Sequence, residues 1–321
     1  MTSFGYTLMT EQSGPKELVR HARQAEDVGF DFEVSSDHYS PWLTTQGHAP
    51  YAWSVLGAVA AVTERVELMT YVTCPTVRYH PAVVAQKAAT LQVLSDGRFT
   101  LGLGSGESLN EHVVGEGWPG VDVRQDMLIE AIEIIRALHT GDLVTYDGQY
   151  FRVDSARVWD APEAGVPLAT AVSGPKSIER FSSLVDHMIA VEPEADLVSG
   201  WEEAHGGGSR KIGQIPISWD PDEDAAIARA HEQFRWFGLG WPVNSELPTP
   251  ASFASATQFV RPEDVAEGIA CGPDLDKIAE SVRPYLEAGF TDVALVQIGG
   301  DTQDRFLAEA AEPLLERLRA M

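Results

Sequence analysis

Cysteine is scarce. Cys74 and Cys271 are the only two in 321 residues, too few for a disulfide framework or a cysteine-built metal cluster. Positive charge is also scarce. Twenty-three Lys and Arg stand against 48 Asp and Glu, giving a formal net charge of −25. A field of that sign repels a nucleic-acid backbone and an anionic membrane surface, so neither is expected as a partner. An anionic cofactor is not excluded, because backbone N–H groups at a helix start bind phosphate locally. No uncharged apolar run reaches the roughly 18 residues of a membrane span. The opening MTSFGYTLMTEQ has neither the basic stretch nor the apolar core of a secretion signal, so a cytoplasmic location is expected. The nine histidines form no H-E-x-x-H pair and no close cluster, and no metal is expected. A G-x-S-x-G elbow is missing too. No Pro/Gly/Ser-rich linker divides the chain, and no fixed-period repeat runs along it.

Short apolar runs alternate with longer amphipathic segments. Strands are expected at 4–9, 30–36, 66–72, 98–104, 166–172, 187–191, 213–219 and 292–298. Helices are expected at 15–29, 51–62, 81–94, 123–139, 175–184, 195–205, 222–237, 274–288 and 303–319. Asp147-Gly148 sits between two β-prone runs in 143–153 and predicts an inserted hairpin. Residues 238–260 show no clear period and read as a loop or lid. Eight βα units predict an α/β fold, a closed (β/α)8 TIM barrel with insertions forming one domain over 1–321. An open doubly wound sheet is the rival arrangement.

In a barrel the chemistry belongs at the ends of the strands, and SSDHYSPW (35–42) lies at one. His38 is the natural general base, since its ordinary pKa is near neutrality, and Asp37 beside it could orient it or hold its charge. Trp42 could wall the pocket or donate its N–H to a substrate oxygen. Glu107 follows LGLGSG (101–106) at the fourth strand end and could transfer a proton. Gly102, Gly104 and Gly106 could let the backbone approach a ligand closely. Ser105 and Asn110 could hydrogen-bond one. SGPKS (173–177) follows the fifth strand: Gly174, the helix start with Pro175 in its first turn, and Lys176 make a seat for phosphate. The same residues also fit duller readings: a polar loop, a glycine-rich βα turn and an ordinary helix start. Asp37 and Glu107 could also serve as the paired carboxylates of a hydrolase.

Taken together, SDHYSPW (36–42), GHAPYAWSVLGAVAAVTERVEL (47–68), YVTCPTVRYHPAVVAQ (71–86), LGLGSGESLNE (101–111), GDLVTYDGQYFRV (141–153) and SGPKS (173–177) are far more specific than any one of them. Over nearly its full length the chain resembles the luciferase-like flavin and deazaflavin superfamily. Within it, the resemblance is to the actinobacterial glucose-6-phosphate dehydrogenase group that uses the deazaflavin coenzyme F420. The resemblance implies a dimeric TIM barrel with the deazaflavin at the C-terminal mouth, and a non-prolyl cis peptide at Tyr71–Val72 behind it. It implies that His38 takes the substrate's hydroxyl proton, that Glu107 donates a proton to the reduced ring, and that Trp42 steadies the substrate. It implies cofactor contacts from Asp37, Tyr71, Val72, Ser105, Gly106, Glu107, Asn110, Ser173, Gly174, Pro175 and Lys176.

One part of that group's pattern is missing. The group clamps the sugar phosphate with a threonine and a lysine after the sixth strand, plus a distal lysine and arginine. Here the corresponding stretches read VEPEAD (191–196), LGWPVNSE (239–246) and EGIACGPD (267–274), with no cation among them. The expected activity is hydride transfer between the deazaflavin and a sugar or secondary alcohol without a phosphate. An FMN-dependent monooxygenase on the same barrel, or a sugar-6-phosphate dehydrogenase with an altered phosphate site, stays open as an alternative.

Overall fold

A computed structural model describes residues 2–321. Eight parallel strands close on themselves: β1 (Ser3–Leu8), β2 (Phe32–Ser35), β3 (Glu67–Thr70), β4 (Phe99–Leu103), β7 (Leu168–Ala171), β8 (His187–Ile189), β9 (Lys211–Ser218) and β11 (Asp292–Gln297). Each pairs with the next in that order, and β11 returns to β1 in register Ser3↔Asp292. The expected (β/α)8 barrel is thus present, and the open sheet is ruled out. The remaining strands lie outside the ring. β5 (Val144–Asp147) and β6 (Arg152–Ala156) form the antiparallel hairpin, and the short β10 (Ala270–Cys271) extends the sheet from β9.

Period-2 alternation separates two cores. Phe4, Tyr6 and Leu8 of β1 point outward into the layer between barrel and helices. Phe32, Val34, Met69, Ala169, Ile189, Ile212 and Ala294 fill the barrel itself. The first helix, Pro15–Val28, starts with Pro at its first turn and stops at Gly29. Gly29 adopts φ 104, and its N–H caps the carbonyls of Ala25 and Glu26, a left-handed closure that favours glycine.

Three stretches differ from the sequence expectation. The segment 238–260 is not irregular: a 3-10 turn (Arg235–Leu239) leads into short helices Trp241–Asn244 and Pro250–Ala256. The final helix is two, Gln303–Glu309 and Ala311–Arg319. Pro313 explains the break, because its ring excludes the helical bond to the Glu309 carbonyl four residues back. A helix Pro262–Gly268 follows Arg261 where no element was expected.

Glu33 on β2 is completely buried, with neither carboxylate oxygen partnered among the described residues. Burial, with Glu26 adding to it, pushes its pKa well above the ordinary 4.5. The native state therefore holds this proton to a higher pH than the unfolded chain does. The stability it contributes is complete below about pH 4.5 and is lost as pH rises through the native value. Glu33→Gln should raise Tm by a margin that grows with pH and vanishes near pH 4. Thermal melts across that range check this.

Candidate active site

The strand ends on one side of the barrel bring the site together. His38 lies three residues past β2, and its Nδ1 is in ion-pair contact with Oε1 of Glu11, three residues past β1. Its Nε2 faces Oε1 of Glu107, in the loop after β4, at 3.4 Å. Glu11 is buried and also accepts from Ser36 Oγ at 3.0 Å. Burial alone would lower the His38 pKa, but the charge and hydrogen bond of Glu11, with Glu107 behind them, outweigh it and raise the net value. For Glu11, burial raises and His38 lowers, and the net direction is down. The two directions agree on a charge-separated pair.

This corrects the role expected for Asp37. Its carboxylate does not orient His38. It accepts from Trp53 Nε1 (2.9 Å), Thr73 Oγ1 (2.8 Å) and Tyr79 OH (3.1 Å), so it anchors the loop from below, and Glu11 takes the place beside the imidazole. Asn110 braces the other partner. Its Nδ2 donates to Glu107 Oε1 at 2.6 Å, while its Oδ1 accepts from the N–H groups of Tyr39 (2.7 Å) and Ser40 (2.9 Å). One buried amide thereby ties the His38 loop to Glu107.

Trp42 is buried, as a wall would be. Its ring stands edge-on to His38 at 5.2 Å, stacks on Trp236 at 4.2 Å and meets Phe253 edge-on at 5.1 Å. Trp236 and Phe253 come from the stretch of short helices, which therefore covers the mouth beside His38.

Tyr71–Val72 is a cis peptide, and both side chains pack onto the barrel-filling cluster. Gly102 and Gly104 do not serve the expected purpose of admitting a ligand. A Cβ on Gly102 would sit 1.9 Å from the Thr70 carbonyl oxygen, and one on Gly104 would sit 2.6 Å from Val72 Cγ2, so these glycines admit the end of β3 and the loop after it. Gly106 has φ +89, and half-buried Ser105 precedes it. In the loop after β7, which pairs with β4, Ser173 N–H donates to Ser177 Oγ (3.1 Å), and Gly174 precedes the helix Pro175–Phe181. The Cβ position of Gly174 is open space. Lys176 is exposed and pairs with Asp122 at 2.5 Å.

The family described as luciferase-like monooxygenase matches residues 1–292. The chain belongs to this luciferase-like family. It is 37% identical to the F420-dependent glucose-6-phosphate dehydrogenase of Beutenbergia cavernae (strain ATCC BAA-8), over all of this chain and 98% of that one. The enzyme of the same name from Nocardia farcinica (strain IFM 10152) is 36% identical over 99% and 98%. Among solved structures, an F420-dependent secondary alcohol dehydrogenase in complex with an F420–acetone adduct superposes with a TM-score of 0.90, at 30% identity and 99% coverage of both chains.

The mouth is assembled from loops after neighbouring strands of the ring: β1, β2, β3, β4 and β7 supply Glu11, His38, Tyr71–Val72, Glu107 and Ser173–Lys176. Sequence reading missed Glu11, Trp236 and Phe253. The signal for Glu11 was its place, a carboxylate three residues past a strand end, as His38 is. Trp236 and Phe253 carried no local signal. Among the described residues, no helix is long and apolar enough to cross a membrane.

Proposed function

We propose that the protein is an F420-dependent oxidoreductase acting on the CH–OH group of a secondary alcohol or sugar that carries no phosphate. The observation that carries this reading is His38 held between Glu11 and Glu107 at the barrel mouth. The family membership and the likeness to F420-dependent dehydrogenases support the cofactor.

The residues present suit a flat ring with a phosphorylated tail. Ala169 and Ala171 on β7 give that side of the mouth little side-chain volume. Tyr71, Val72, Ser105, Gly106 and Asn110 would line the ring. Ser173, Gly174, Pro175 and Lys176 would take the tail at open space, where Lys176 can exchange its exposed partner Asp122 for a phosphate. Asp37 supports this wall by anchoring the loop. Bound F420 supplies a two-electron hydride acceptor or donor.

The chain's own residues manage the proton. Glu11 fixes the proton on Nδ1, leaving Nε2 as the atom that accepts the hydroxyl proton when the carbinol carbon is oxidised. Glu107 Oε1 offers a second proton site next to Nε2, held there by Asn110. Trp42, backed by Trp236 and Phe253, forms an apolar wall for the substrate's carbon skeleton.

Lys176 would be taken by the cofactor tail, and Arg78, Arg235 and Arg261 are each engaged already. Arg78 faces Asp37 and Glu111, Arg235 is bound to Thr257 and the Glu232 carbonyl, and Arg261 pairs with Asp264. Glu192 and Glu194 after β8 are exposed acids. Across a panel of alcohols and sugars with and without a phosphate, kcat/KM should favour the neutral member by about tenfold or more. Equal or better use of sugar phosphates would contradict the neutral-substrate reading.

A homodimer is also part of this proposal. Helix Pro81–Leu94 buries Val84, Ala85, Ala88 and Leu91, yet its outer side exposes Val83, Val93 and Leu94 by about half, beside Gln86 and Thr90. Such an apolar patch suits cover by a second copy. Light scattering should give twice the chain mass, and Leu94→Glu should shift it toward the monomer.

Fluorescence-quenching titrations with oxidised F420 and with FMN test the cofactor. Selective F420 binding is expected. Preference for FMN would move the protein to the monooxygenase alternative.

A further inference from the structure

Arg78, in the loop after β3, lies between the two halves of the proposed proton machinery. Its side chain is only 7% exposed. Nη2 donates to the backbone carbonyl of Asp37, the residue before His38, and lies 3.4 Å from the Asp37 carboxylate. On the other side, Nε is 3.4 Å from Glu111 Oε1, and the Arg78 backbone N–H donates to Glu111 Oε2 at 2.9 Å. Glu111 sits on the short helix Ser108–Glu111, whose N-cap is Glu107 and which carries Asn110. Tyr79 completes the clamp: the guanidinium lies 4.5 Å over its ring, and its hydroxyl donates to Asp37.

We propose that Arg78 is a positioning residue that sets the separation of His38 and Glu107 by tying the loop after β2 to the helix after β4. A guanidinium suits this place. It is planar, permanently charged, and presents its donors in a fixed fork that reaches both partners at once. Lysine would keep the charge and lose the fork. The charge also acts on the base. Facing His38 are Glu11, Glu107 and Arg78, and Arg78 lowers the His38 pKa against the two carboxylates. Glu111, raised to about 7 chiefly by burial and held down by Arg78, is the other group that the guanidinium steadies.

The inference rests on the proposed hydride-transfer reading, and the experiment separates the two. Wild type, Arg78→Lys and Arg78→Ala are compared for F420 binding, kcat, and the pH profile of kcat/KM with an alcohol that the wild type oxidises. Failure of the wild type to reduce F420 with any alcohol would remove the underlying reading, whatever the variants do. With wild-type turnover in hand, Arg78→Lys should lower kcat by about 100-fold, the scale of a misplaced catalytic group, with F420 affinity nearly unchanged and the acid limb in place. Arg78→Ala should lose a similar factor and move the acid limb to higher pH, because His38 loses a positive neighbour. Guanidinium ion at low, non-denaturing concentration should restore part of the Arg78→Ala rate and return the limb. Should Arg78→Ala fail to fold, Arg78→Lys decides the matter alone. Wild-type kcat in Arg78→Lys, or an unmoved limb and no rescue in a folded Arg78→Ala, would overturn the positioning role.

Discussion

His38→Ala should lower kcat for alcohol oxidation by about 10²–10⁴-fold, the usual worth of a positioned general base, while leaving F420 affinity nearly intact. The reason is the placement of its two ring nitrogens. Nδ1 is committed to the buried Glu11, and Nε2 is left facing Glu107 across 3.4 Å. Deleting the imidazole removes the basic nitrogen that stands beside Trp42, yet it leaves Tyr71, Val72 and the Ser173–Lys176 turn in place. Steady-state kinetics and a binding titration on the same preparation separate the two effects. Full activity in this variant would rule out His38 as the base.

Glu11→Gln should cost about 10²-fold or more in kcat, because an amide can offer Nδ1 the wrong group and turn the imidazole to the wrong tautomer. It should also displace the pH profile in a direction that is fixed in advance. Below its pKa His38 is protonated and cannot accept the hydroxyl proton, and in the native protein that pKa is raised above 6.5. The acid limb of kcat/KM therefore lies above pH 6.5 in the wild type. Without the Glu11 charge, burial dominates and the limb moves down. The same pair contributes to stability. Glu11 is lowered from 4.5 and His38 is raised from 6.5. Their mutual stabilisation is lost as pH falls through the Glu11 value and again as pH rises through the His38 value. A wild-type profile in Glu11→Gln, with the limb unmoved, would assign the His38 shift to some other group.

Much of the fold was legible because long periodic segments dominate it. Helices 15–28 and 195–205 stand where their apolar spacing put them, and each barrel strand overlaps a run read as a strand, with β1 and β9 starting earlier. Residues 241–256 were not legible because their helices span four and seven residues, too short for a 3.6-residue period to show. The break near Ala310 was hidden for a different reason: the amphipathic pattern continues through it, and only Pro313 interrupts the hydrogen bonding.

The site divides in the same way. His38, Glu107 and Trp42 lie in dense, unusual stretches that draw notice in one dimension. Glu11 lies in a plain turn, and it matters only because β1 and β2 are neighbours in the ring, a fact of strand pairing. Asp37 misled because adjacency in sequence was taken for adjacency of side chains. Successive residues leaving a strand point apart, and here Asp37 goes down to Trp53 and Thr73 while His38 turns toward Glu11. The glycines of LGLGSG likewise drew attention as ligand contacts, and the close approach of Thr70 and Val72 uses two of them first.

The most direct test follows the transferred hydrogen itself. A secondary alcohol deuterated at its carbinol carbon, such as 2-propanol, or the best neutral substrate from the panel, is incubated with the protein and oxidised F420, and the reduced cofactor is examined by mass spectrometry. One deuterium carried into reduced F420, with a slowed rate relative to the unlabelled alcohol, is the expected result. Reduced F420 without the label, or no reduction alongside oxygen consumption with reduced FMN, would contradict direct hydride transfer from a CH–OH carbon.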